Sequence, residues 1–235
     1  MHCAVGLLSK RFQTSEIALL KPSNPCNIAI RELMSAGKES RGIFLYSSLR
    51  DFLCSTLKSE GRRQWVREVL KWTEPTATGA LSRVELEESR DEISAAYVWL
   101  WQMYRYLDAC GERAEAALCA LDGDDFLRRP EETLAAVCDF LSLPFSAETI
   151  GEIVHGKMMH SYSKVAAEGS WLTNALRAMG LPLLSRRRFD YRKRESLLNQ
   201  TAERYREELE RGLAWAKAIT RERPIPDVLP SSLLA

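Results

Sequence analysis

Two short apolar runs that do not alternate with polar residues constrain this chain most: Ile17–Leu20 and Ile43–Tyr46. An unbroken apolar run bounded by turn residues fits a strand covered on both faces. Lys21–Asn27, after the first run, holds two prolines and two asparagines and reads as a turn. Asn27–Ala36 then has helical character and meets a stop at Gly37. The order strand, helix, strand predicts a parallel pair with a right-handed crossover. In such sheets ligands are held where strands end and helices begin. That places the candidate site in the turns after the two runs.

Helical segments dominate the rest. Ser48–Glu60 is expected to stop at Gly61, and Gln64–Trp72 to end before Pro75. Ser82–Cys110 carries Ile93, Tyr97, Leu100, Tyr104 and Leu107 on one face. Ala114–Leu121 is a third strand candidate, although its Ala, Glu and Leu equally suit a helix, and a polar turn follows at Asp122–Asp125. Glu131–Leu141, led by Pro130, and Ser146–His155, capped by Ser146, are helices. Val165–Gly180 is partly helical, and Glu195–Arg221 is a helix with Leu198, Tyr205, Leu209, Leu213 and Trp215 on its apolar stripe. The reading is one domain over residues 1–221 and a tail over 222–235, where three prolines fall. His2–Arg11 is expected as a short helix, its apolar stretch too short for a signal core or a membrane span.

A net charge of +1 over 235 residues gives no global field toward nucleic acid or a membrane, so any binding patch is local. None of the six cysteines forms a C-x-x-C pair, which removes the zinc-ribbon and thioredoxin readings. Free thiols and the lack of a secretory signal imply a reduced, cytoplasmic protein. His155 and His160 stand five apart, off the face that helical metal ligands share, so no metal is expected. Trp99, Trp101, Tyr104 and Tyr106 fit a helix core better than a stack for an aromatic acceptor. Arg186–Arg194 (RRRFDYRKR) is a basic cluster read as a solvated face, with nucleic-acid binding as its sharper alternative.

Three blocks carry a family resemblance. The first is ALLKPSNP, with Lys21 and Pro25; the second is IFLYSSLRDFLCS, with Asp51 and Ser55; the third is ALDGDDFLRRPEETLAAVCDFLSLPF. Together they resemble the P-loop sulfotransferases, which move a sulfonate from the nucleotide PAPS to an alcohol, phenol or amine. The resemblance spans roughly residues 17–160. It implies a helix-rich α/β fold of the P-loop NTPase type, with PAPS as cofactor and a small-molecule, glycan or lipid acceptor. It implies that Lys21 assists transfer, with Ser23 at the position of the family's catalytic His. It further implies that Ser47, Arg50, Asp51 and Ser55 surround the donor's 3′-phosphate, with Lys164 a weaker candidate for the same task.

The departures are chemical. A serine hydroxyl at 23 has no proton affinity useful near neutral pH. Ser47 stands where the family has a clamping Arg, Leu49 stands where it has Pro, and Arg50 is the nearest substitute. The residues before Lys21 hold no loop of the Lys-Ser-Gly-Thr-Thr kind, whose backbone N–H groups hold the 5′-phosphosulfate. Donor binding is therefore expected to be weak or lost, and the N-terminal strand and loop of the fold to be missing. A missing strand would leave an apolar sheet edge that invites pairing with another chain. The alternative is a non-catalytic remnant acting as an interaction module. Ser47 or Ser48 as an ordinary helix N-cap, with Asp51 at the third helical position (S-x-x-D where Ser48 is the cap), accounts for the second block with no ligand at all.

Overall fold

The apolar run after Arg41 forms β1 (Gly42–Tyr46), and its partner is β2 (Leu118–Asp122). The two are parallel, with Ile43 opposite Cys119, Phe44 opposite Ala120 and Tyr46 opposite Asp122. A computed structural model describes residues 17–35, 37, 40–73, 90–110, 117–156 and 191–234 of the chain. Expectations for His2–Arg11, residues 74–81 of the Thr73–Leu81 loop, Lys164, His160, Val165–Gly180 and most of Arg186–Arg194 lie outside them. The class is α/β, helix-rich, with a two-stranded parallel sheet among the described residues.

One expected strand is absent. Ile17–Leu20 is unpaired, with Ile17 50% and Leu19 66% exposed, so the parallel partner of β1 comes from 118–122 and not from 17–20. An apolar run stays a strand only if a neighbour takes its backbone groups, and among the described residues none does. The turn beyond it tightens into a 3-10 helix, Asn24–Ala29, that leads into α1 (Ile30–Ser35). Asn24 and Asn27 both donate to Oε1 of the buried Gln102, each at 3.1 Å.

After β1 the chain forms α2 (Leu49–Leu57) and α3 (Glu60–Leu70). Gly61 does not stop a helix, because it lies inside α3; the break falls at Lys58–Ser59. The spine is α4 (Asp91–Ala109), whose Tyr97, Trp101 and Tyr106 have no exposed surface. These aromatics are core, as the spacing predicts. One side of α4 packs with Leu53, Val66, Val69 and Leu209, and the other with Phe44, Leu118 and Ala120 of the sheet. The Phe44 ring stacks on Tyr106 at 4.8 Å between centroids.

Beyond β2 the expected turn at Asp122–Asp125 is instead the start of a short helix, α5 (Gly123–Arg128). It runs into α6 (Pro130–Leu141), whose first residue is the helix-opening Pro130, and α7 (Ala147–His155) follows under a Ser146 cap. The expected single helix over Glu195–Arg221 is two, α8 (Tyr191–Arg204) and α9 (Arg206–Ile219), broken at Tyr205. Gly212 lets α9 close in, since a Cβ there would meet Leu53 Cδ1 at 3.1 Å and the Glu92 carbonyl at 3.3 Å.

The residues expected to hang as a tail are docked. Ala120 N–H donates to Ser231 O at 3.1 Å, Leu233 N–H donates to Ala120 O at 2.9 Å, and Tyr106 Oη donates to Pro230 O at 2.5 Å. Leu229 is 2% exposed and sits among the residues between α4 and the sheet. The outer edge of β2 is thus closed by the chain's own C-terminal segment. Leu229→Ala is expected to cost about 2–4 kcal/mol in urea unfolding, while Val228→Ala, at an exposed position, costs less than about 0.5 kcal/mol. Equal effects would mean that the segment is not docked.

Candidate functional site at the strand ends

A parallel pair brings both strand ends to the same edge of the sheet, so Tyr46 and Asp122 stand side by side. Each strand then hands over to a helix. At β1 the link is Ser47–Ser48, and Ser48, not Ser47, is the cap of α2: its Oγ accepts Asp51 N–H at 3.1 Å. The Ser47 carbonyl accepts Trp99 Nε1–H at 2.9 Å, which ties the turn to α4. At β2 the handover is immediate. Asp122 Oδ1 accepts Asp124 N–H at 2.8 Å, capping α5. Gly123 passes so close to β1 that a Cβ would lie 3.2 Å from the Tyr46 carbonyl.

Both helices begin with aspartates, and these converge. Arg194 of α8 reaches in to bridge them, with Nη2 3.2 Å from Asp51 Oδ2 and Nη1 3.0 Å from Asp124 Oδ1. Asp51 is nearly buried, at 12% side-chain exposure. Arg50 lies 3.6 Å from Asp51 Oδ1 and also donates to Asn199 Oδ1 at 3.4 Å. Asp125 is taken by Arg128 at 2.6 Å. Among the described residues the cluster is therefore a set of carboxylates around the Arg194 guanidinium, with Arg50 and Arg128 at the rim.

Burial is the main influence on its titrating groups. Asp51 is raised from its ordinary value, first by burial and then by Asp124, against the pull of Arg194 and Arg50. Asp122 is raised by burial, with Asp124 and Asp125 adding to it. The Tyr46 hydroxyl is raised by burial and then by Asp122 and Asp125. Three groups on two strands and a helix report the same surroundings.

The residues singled out in the sequence fare differently. Asp51 belongs to the cluster, and Arg50 is engaged at its rim. Ser55 lies one turn further along α2, partly buried. Lys21 is exposed on unpaired backbone. Ser23 is also exposed, its Oγ 3.9 Å from Cys26 Sγ, in the cap position of the 3-10 helix without a capping bond. Neither forms an ion pair or hydrogen bond with the strand-end cluster. Asp124 and Arg194 are the members that sequence reading missed. The acidic run DGDD after an apolar stretch was a signal for Asp124, but Arg194 lies 143 residues from Asp51, beyond any spacing rule.

A hollow of about 500 Å³ lies elsewhere, against α3, the start of α4, and α9. Its charges are largely paired among themselves, Arg63 with Asp91 and Arg211 with the buried Glu92. Among the described residues there is no cluster of three or more potential metal-ligating side chains, and no helix is long and apolar enough to cross a membrane. No family model, curated protein or solved structure matches the chain.

Asp51 holds its proton more tightly in the folded chain than in the unfolded one. Its contribution to stability is therefore present below the ordinary carboxylate range and is lost as pH rises through the raised folded value. The stability of the wild type relative to Asp51→Asn is expected to fall as pH rises above the ordinary carboxylate range. Arg194→Gln is expected to move the Asp51 carboxyl titration, followed by NMR, to still higher pH. An Asp51 midpoint at or below the ordinary carboxylate value contradicts both. Separately, Ser48→Ala should lower stability by about 1 kcal/mol and Ser47→Ala by less than about 0.5 kcal/mol; the reverse order would move the cap to Ser47.

Proposed function

We propose that this chain is a sulfotransferase-like α/β scaffold that does not by itself carry sulfonate transfer, and that it serves as a non-catalytic interaction module. The observation that carries this reading is the bridge from Arg194 to Asp51 and Asp124 at the strand ends. A donor such as PAPS brings a phosphate and a phosphosulfate, both anionic. Binding at the start of α2 would set that charge beside Asp51, Asp124 and Asp122, with Arg194 already committed to two of them. Of the residues expected around the 3′-phosphate, Arg50 is already engaged with Asp51 and Asn199. The two exposed candidates for transfer, Lys21 and Ser23, add no charge or base to the cluster.

The family-like architecture draws support from the order of elements. A strand passes directly into a capped helix at β1–α2, and an acidic turn leads to a Pro-opened helix at β2–α5–α6. One feature favours the alternative reading, a PAPS-dependent transferase. The N-terminus of α2 sits at the carboxyl end of a parallel strand, where anions are commonly held. Calorimetric titration with PAP, the desulfated donor product, separates the two. The scaffold reading expects no saturable heat at millimolar PAP. Saturable binding in the micromolar range, weakened by Ser55→Ala, would establish the transferase reading instead.

A further inference from the structure

Among the described residues the outer edge of β1 is open, and it is self-complementary. Gly42 N–H donates across to Ala117 O at 2.8 Å, so by strand alternation Phe44 and Tyr46 also turn their backbone groups toward β2. Ile43 and Leu45 turn theirs outward. Among the described residues no hydrogen bond closes that side, whereas the opposite edge of the sheet is taken by Ser231 and Leu233. Leu45 is 64% exposed beside this edge.

Natural sheets blunt such edges with lysine, proline, a bulge or an inward charge. Gly42–Tyr46 (GIFLY) has none of them: it carries no charge and no proline. The net charge of +1 leaves little repulsion between copies. Ile43 and Leu45 are placed symmetrically about Phe44. Laid antiparallel on a second β1 about a two-fold axis through Phe44, Ile43 faces the partner's Leu45, and Leu45 faces the partner's Ile43. Each facing pair exchanges two N–H···O bonds, four in all, and the exposed Leu45 packs on the partner's Ile43 on the same face of the sheet.

We infer that the open edge of β1 is an interface for a second copy of this chain, forming an antiparallel, two-fold β1–β1 pair that continues the sheet across the dimer. The pairing is isologous, and each copy's other edge is already closed by its own C-terminal segment. The assembly therefore stops at two and does not propagate. The inference stands on the edge geometry and is independent of whether the strand-end cluster binds a nucleotide.

Sedimentation equilibrium of the full chain at micromolar concentration tests it. A dimer is expected for the wild type. Leu45→Lys, which places a charge on the edge, and Ile43→Pro, which removes an outward N–H without touching the β1–β2 ladder, are each expected to weaken dimerisation by at least about tenfold. Hydrogen exchange on the wild-type chain needs no variant to fold: protection of the Ile43 and Leu45 amides should rise with protein concentration, and that of the Phe44 amide should not. A monomeric wild type, a dimer that survives both substitutions, open-ended aggregates, or concentration-independent exchange at Ile43 and Leu45 would each overturn the proposal.

Discussion

Asp51 and Asp124 leave two different helices and meet on the guanidinium of Arg194, which arrives from a third. The topology compels the meeting. Parallel strands end side by side, so the helices that follow them begin side by side, and a residue in the first turn of each points into the same space. Aspartate is favoured there for local reasons, since a helix N-terminus welcomes negative charge. Two such choices made independently put two carboxylates in one partly buried place, a costly arrangement without a cation. Arg194 supplies it and ties α8 to the strand ends. The price of that solution is a crevice whose inward guanidinium is already engaged by carboxylates.

The rest of the structure holds this edge in position. α4 is buried on both sides, so the helices that carry Leu53 and Leu209 and the sheet that carries Phe44 and Ala120 are all registered against one rigid element. Trp99, on the same helix, fixes the Ser47 carbonyl and with it the turn from which Asp51 departs. The C-terminal segment seals β2 and covers Tyr106, leaving β1 as the one strand of the sheet with an unbonded side among the described residues. Among the described residues the sheet is closed on one edge and open on the other.

Local physics made parts of this fold readable from sequence. Ile43–Tyr46 is a strand, the aromatics of the long helix are core, Ser48 caps α2, and Pro130 opens α6, each for a reason contained within a few residues. Non-local facts were not readable. Ile17–Leu20 is as apolar as β1, but strandedness needs a partner, and the partner of β1 lies some seventy residues further on. Leu229 sits in a proline-rich stretch with the composition of a tail, and its burial comes from α4 and the sheet, not from its neighbours in sequence. Of the candidate site, Asp51 was legible through its place after a strand. Arg194 was not, because within a basic run nothing distinguishes the one arginine that turns inward. Lys21 and Ser23 were drawn from a resemblance of motif, and the exposed backbone that carries them gives them no part in the cluster.

The decisive quantity is the coupling between Asp51 and Arg194. A double-mutant cycle built from Asp51→Asn, Arg194→Gln and the pair, followed by urea unfolding near neutral pH, measures it without reference to any ligand. The account predicts a favourable coupling of about 0.5–3 kcal/mol, as for groups in one contact network. Strictly additive losses would mean that the guanidinium does not hold the two helices together at the strand ends, and the reading of a crevice filled by its own charges would fall with it.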